Sequence, residues 1–216
     1  MSDVLLVHPP VLPDPKAGPR LAMRTGIPGT GILHIGAYLQ KHGYDPVLFD
    51  VPGYYSLGFN NKDVKRKLKT YNPSVIGIEL NWLQFSIGAV EIAKWCHELF
   101  PNATIVFGGT HATIFSDDIV QRYSGYLDGV LRGEAELSFL NLVETVEKGK
   151  SLENVPGFFG KVEGRLVSNS PAFIEHLDDI PPYTFDFAKP EGLLKLMHFA
   201  NINICRGPCG WECAYC

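Results

Sequence analysis

Four of the five cysteines fall within twelve residues, Cys205-Arg206-Gly207-Pro208-Cys209-Gly210-Trp211-Glu212-Cys213-Ala214-Tyr215-Cys216. Cys209, Cys213 and Cys216 have the spacing C-x3-C-x2-C. A loop that short can bend three thiolates around one metal centre, and thiolates are the soft ligands that hold iron–sulfur clusters. A four-iron cluster normally takes four cysteines, so three leave one iron open to a small molecule, as a catalytic zinc keeps one position open. Two plainer readings compete. A structural zinc site usually separates two ligand pairs by a longer loop. A disulfide cluster needs an oxidising compartment.

The segment resembles the cluster loop of radical S-adenosylmethionine (SAM) enzymes, which has this spacing and an aromatic residue before the last cysteine, here Tyr215. The resemblance implies a 4Fe-4S cluster on Cys209, Cys213 and Cys216. Its open iron would chelate SAM, and one electron from the cluster would cleave SAM to a deoxyadenosyl radical. The stretch Arg206-Gly207-Pro208-Cys209 departs from the family's commoner Arg-Gly-Cys-Pro. Using Cys205 as first ligand would give C-x3-C-x3-C, outside the family's pattern.

The elements that must position such a loop lie upstream. A net charge of −4 argues against a protein that wraps nucleic acid, which needs clustered Lys and Arg. The one basic run, Lys62 to Lys69, carries Val64 and Leu68 at i and i+4 and reads as the wet face of a short helix. Neither a secretory signal nor an apolar stretch approaching the ~18 residues of a membrane span is visible. The expected location is the cytoplasm, where thiols stay reduced.

Short apolar runs at 3–8, 45–51, 74–80, 104–107 and 128–131 read as buried parallel strands. Helical patterns lie between and after them, over 31–42, with Thr30 as a possible cap, then 62–71, 85–100, 114–123 and 134–148. In the 85–100 helix, Ile87, Val90, Ala93 and Lys94 fall at helical spacing. The alternation predicts an α/β fold: a doubly wound, five-stranded parallel sheet of flavodoxin-like order, with ligands expected beyond the carboxyl ends of the strands. Residues 158–168 read as a β-hairpin about Glu163-Gly164, and 170–190 as a linker. The expected organisation is an α/β domain over 1–150, hairpin and linker over 151–198, and the first strand and cluster loop of a second domain over 199–216. A chain stopping at Cys216 lacks the barrel that would hold SAM and substrate, so as given it is expected to bind cofactor and catalyse nothing.

The first domain resembles the cobalamin-binding domain found in front of many radical-SAM catalytic domains. The landmarks are Gly31 to Gly43 with Tyr44 and Asp50, then Gly108-Gly109-Thr110-His111-Ala112, then Gly133-Glu134-Ala135-Glu136, and the linker Leu177-Asp178-Asp179-Ile180-Pro181. Gly108-Gly109 offers backbone without side chains, which a macrocycle or nucleotide tail can approach closely, although a plain strand-to-helix turn explains it as well. Amides near Thr113 and Glu134 could serve a phosphate. His111 could bond a tail or be satisfied by backbone, and Glu134 could merely complement a helix dipole. The Asp-x-His-x-x-Gly motif of older cobalamin enzymes is missing after the first strand, so no such histidine is expected under cobalt. By resemblance, Asn81, Trp82 and Leu83 would lie under the corrin, with Gly108, Gly109, Thr110, His111, Gly133 and Glu134 as further contacts. A dinucleotide fingerprint is only partial: Gly29-x-Gly31 with Asp50 lacks its third glycine, since position 34 is His34.

Together the resemblances imply the N-terminal part of a cobalamin-dependent radical-SAM enzyme. It would methylate an unactivated carbon of a small-molecule substrate, with an electron donor such as flavodoxin or ferredoxin. Ring formation or rearrangement, and a cobalamin carrier without chemistry of its own, stand as alternatives.

Overall fold

The computed structural model describes residues 3–12 and 28–190. The cluster loop and the strand expected at 199–204 lie outside the described residues. The elements run β1 (Asp3–His8), α1 (Thr30–Lys41), β2 (Pro46–Asp50), α2 (Val51–Ser56), α3 (Asn61–Leu68), β3 (Pro73–Glu79), α4 (Ser86–Leu99), β4 (Thr104–Gly108), α5 (Thr110–Ile114), α6 (Ser116–Tyr123), β5 (Gly129–Leu131), α7 (Glu136–Glu147), β6 (Phe158–Val162), β7 (Arg165–Ser168) and β8 (Ala188–Lys189). Among the described residues, no helix is long and apolar enough to cross a membrane.

Among the described residues, eight strands form one sheet in the order 7-6-5-4-3-1-2-8. Its centre, 5-4-3-1-2, is parallel throughout and is the expected flavodoxin-like doubly wound order. The apolar runs exist because both faces of these strands are covered. In β1, Leu5 and Val7 point into one core and Val4 and Leu6 into the other, as the two-residue period demands. The first core is completed by α2, α3, α4 and α6, through residues such as Tyr54, Leu68, Ile92 and Ile119. The second is completed by α1 and α7, through Leu33, Leu39, Phe139 and Val143. Phe49, Phe107 and Phe158 are fully buried, and each such burial stabilises by roughly 2–3 kcal/mol.

The hairpin extends the sheet. β6 pairs antiparallel with β5, Phe158 opposite Leu131, and β7 continues outward. Its two-residue turn has φ of 49° at Glu163 and 79° at Gly164, the left-handed pair that matches strand twist. The expected linker contributes a strand too, since β8 pairs parallel with β2 on the opposite edge.

Several local expectations need correction. Thr30 does not cap α1: the cap residue is Gly29, whose amide is taken by a distant carboxylate. The strand expected over 45–51 ends at Asp50, and Val51-Pro52-Gly53 forms the first turn of α2, where Asp50 caps the helix through Gly53 N at 3.0 Å. Proline is tolerated there because a first-turn amide has no intrahelical acceptor. α4 turns Ala89, Ile92 and Cys96 inward and leaves Ile87 40 % exposed. The helix expected over 114–123 is two helices meeting at Phe115.

Candidate functional site

The carboxyl halves of β1, β3, β4 and β5 floor a cleft of about 370 Å³ between α1 and α7. Leu6, Ile32, Ile35, Val106, Leu131 and Phe139 make its depth apolar. Its rim carries Asn81, Gly108, Gly109, Thr110, Gly133 and Glu134, and no lysine or arginine is among its described lining residues. The cleft lies where successive strands depart to opposite sides of β1, the switch point at which such sheets open a crevice.

Glycines shape it. A Cβ on Gly31 would meet nothing within 4 Å, and one on Gly108 only the Leu131 carbonyl oxygen at 4.0 Å, so side chains there would stand in the cleft. Gly109 has φ 109°, and a Cβ would press on Asn81 and on the Leu80 carbonyl carbon. Gly77, on the floor, sits under Phe139 with no space for a methyl group.

Six of the sequence-derived positions therefore meet at one rim. Three do not line it. Trp82 and Leu83, beside Asn81, are 67 % and 73 % exposed. His111 turns toward α4: its Nε2 is 3.5 Å from Ser86 Oγ and its ring tilts against Phe115. Of the amides expected to serve a phosphate, those at the start of α5 are already engaged. Thr113 N donates to the Gly109 carbonyl at 2.9 Å and Thr110 N to Asn81 Oδ1 at 3.1 Å. Glu134 precedes α7, whose cap residue is Ala135.

A buried polar network behind the rim was not singled out from the sequence. His8, at the end of β1, places Nδ1 2.7 Å from Glu79 Oε2. Glu79 also accepts from Gly29 N at 3.0 Å and from Asn81 Nδ2. On the far side, His8 Nε2 faces Asp50 Oδ1 across 4.0 Å, and neither atom has a hydrogen-bond partner among the described residues. Burial works against a charge on His8. The attraction and hydrogen bond of Glu79, with the field of Asp50, overcome it and lift the His8 pKa above 6.5. Burial also raises the Asp50 carboxyl to about 7, against the pull of His8 and Gly53 N and with a push from Glu79. The available signal was a single carboxylate at the end of an otherwise apolar strand, Ser-Val-Ile-Gly-Ile-Glu. Among the described residues, no cluster of His, Cys, Asp and Glu could hold a metal.

Comparison with known proteins matches residues 24–143, more than half of the chain, to the family described as B12 binding domain. The chain is 28% identical over 219 residues to an uncharacterized methyltransferase of Pyrococcus horikoshii, covering 99% of this chain and 44% of that protein. It is 29% identical over 216 residues to the hopanoid C-3 methylase of Methylococcus capsulatus, covering 99% and 39%. An anaerobic magnesium-protoporphyrin IX monomethyl ester cyclase of Rubrivivax gelatinosus is 27% identical over 199 residues, covering 88% and 34%. The chain thus spans less than half the length of these curated relatives. In fold it is similar to the cobalamin-dependent S-adenosylmethionine radical enzyme OxsB, solved with aqua-cobalamin and S-adenosylmethionine bound, with TM-score 0.67 at 19% identity over 86% of this chain and 24% of that one.

Proposed function

The chain belongs to the B12-binding domain family, and from that premise we propose that its cleft seats cobalamin in the N-terminal part of a cobalamin-dependent radical-SAM enzyme. The observation that carries the reading is the cleft itself: apolar in depth, glycine-rimmed, at the switch point and lined, Leu6 and Phe173 apart, by the matched residues. The fit is steric and chemical. Gly31 and Gly108 leave the space that a Cβ would fill. The floor of Leu6, Ile35, Val106 and Phe139 suits a flat heteroaromatic base. Trp82 and Leu83 offer apolar surface beside the mouth for the face of a macrocycle. With no basic side chain among the described residues lining the cleft, a tail phosphate belongs at its mouth, in water. His8 is buried and held by Glu79, so β1 presents no histidine to cobalt.

When bound, cobalamin supplies the cobalt that carries the transferred group. The chain's own residues bind it, orient it and exclude water from its buried part. In this reading residues 1–150 carry the cofactor, 151–198 connect, and 199–216 open a radical-SAM domain. There Cys209, Cys213 and Cys216 would hold a 4Fe-4S cluster, which would supply the electron that SAM cleavage needs, with flavodoxin or ferredoxin as reductant. The named methylases among the relatives support methyl transfer to an unactivated carbon of a small molecule. The cyclase supports ring formation as the second reading. The cytoplasm, where thiols stay reduced, is the compartment that suits such a cluster.

Hydroxocobalamin titrated into the chain and followed by visible absorption tests the site. Saturable one-to-one binding is expected, weakened at least about tenfold in Gly108→Leu, which fills the cleft. Absence of saturable binding, or unchanged affinity in the variant, refutes the site. The reaction is read on a longer protein reconstituted anaerobically with SAM. Failure to form deoxyadenosine refutes the radical chemistry, and a cyclised product in place of a methylated one selects the second reading.

A further inference from the structure

We propose that Glu79 is the positioning residue of this cleft: one carboxylate ties together four chain segments beside it, the end of β1, the entry of α1, the turn after β3 and the start of α5. What the cleft holds rests on the cobalamin reading above. How it is held rests on bonds. Oε2 takes His8 Nδ1 at 2.7 Å and fixes the end of β1. Oε1 accepts from Gly29 N at 3.0 Å and fixes the entry of α1. Oε1 also accepts from Asn81 Nδ2 and fixes the turn after β3. Asn81 relays the constraint, because its Oδ1 accepts from Thr110 N at 3.1 Å and fixes the start of α5. The entry of α1 belongs to no strand, so the sheet's backbone ladder does not reach it, whereas the start of α5 is also held by one backbone bond, Ala112 N to the Leu80 carbonyl at 3.1 Å.

A second observation is independent of these bonds. A Cβ on Gly29 would run into the Glu79 carboxylate, and one on Gly109 into the Asn81 side chain. Glycine stands at both positions where the carboxylate and its relay occupy the space a side chain would need. Glu79 is 8 % exposed, so its loss would leave buried donors unsatisfied. Asn81 and Glu79 both line the cleft, and Glu79 also sets where Asn81, Gly29 and Thr110 stand.

The test uses the full chain and four variants, Glu79→Ala, Glu79→Gln, Asn81→Ala and the double Glu79→Ala/Asn81→Ala. Amide exchange is read at Gly29 and Thr110, and hydroxocobalamin affinity by visible absorption. Asn81→Ala is expected to expose Thr110 alone, and Glu79→Ala to expose both amides. Glu79→Gln exposes neither, since one amide carbonyl still accepts from Gly29 and Asn81. Affinity falls about tenfold in Glu79→Ala, stays within about threefold in Glu79→Gln, and is no lower in the double variant than in Glu79→Ala. A residue that merely stabilised the fold would lower the melting temperature without this ordered pattern. Wild-type affinity in Glu79→Ala, exposure of Gly29 without Thr110, or additive losses overturn the proposal. If Glu79→Ala does not fold, the contrast between Asn81→Ala and Glu79→Gln decides. If the wild-type chain binds no hydroxocobalamin, the cobalamin reading falls, while the amide pattern still upholds or overturns the role of Glu79.

Discussion

Replacing Asp50 by asparagine isolates the buried polar network as a pH-dependent component of stability. Asp50 caps α2 through Gly53 N and faces Nε2 of His8, with Glu79 beyond the imidazole. Its carboxyl is raised from 3.8 to about 7, chiefly by burial. The folded chain therefore keeps a proton there that the unfolded chain releases from about pH 4 upward. Stability falls as pH rises through that window, because the folded state binds more protons. At about 1.4 kcal/mol per pH unit, the contribution is on the order of 4 kcal/mol between pH 4 and 8. His8 acts with the same sign at its upper end: its raised pKa gives stability present below 6.5 and lost as pH climbs through the folded value. The Asp50→Asn variant would keep the α2 cap, since asparagine and aspartate cap comparably. Urea unfolding of both chains from pH 4 to 8, followed by circular dichroism, reads the difference. Asp50→Asn is expected to gain on the wild type as pH rises, by up to about 4 kcal/mol, or roughly 1–2 M in urea midpoint. A difference that stays constant across this range refutes the assignment of the buried proton to Asp50.

Three further outcomes follow from packing and capping. Gly77→Ala puts a methyl group against Phe139 in a central strand and is expected to cost about 1–3 kcal/mol in urea unfolding, with partial recovery when Phe139→Leu is added. Asn60 accepts from Lys62 N and Asp63 N while Asp63 answers to Asn60 N, so Asn60→Ala is expected to cost about 1 kcal/mol in the same assay. Cys96 lies buried on α4 with its thiol pushed up to about 12, so peptide mapping after iodoacetamide treatment is expected to find it unlabelled in the native chain and labelled in urea.

The parallel sheet was legible because its strands are covered on both faces, and Val4-Leu5-Leu6-Val7 or Ile105-Val106-Phe107 read as unbroken apolar runs. The rim glycines were legible because Gly108-Gly109 spans the end of β4 and Gly133 comes two residues after β5. Other features depend on partners remote in sequence. β8 is two residues long and exists only because β2 offers its edge. α2 was hidden because Pro52-Gly53 has the composition of a turn, and the side chain of Asp50 decides otherwise. Glu79 was visible as a lone charge, yet His8 and Gly29 lie 71 and 50 residues away, beyond the reach of any local pattern. For the same reason His111, placed by its neighbours beside the rim, turns out to face Ser86.

The direction of β8 has a geometric consequence. It runs parallel to β2, so the backbone at Lys189 leaves the sheet on the same side as the mouth of the cleft. Two strand spacings, about 10 Å, separate that departure point from β1. Lys189 therefore stands on the same shoreline as the cleft, at a distance from β1 that about three extended residues span.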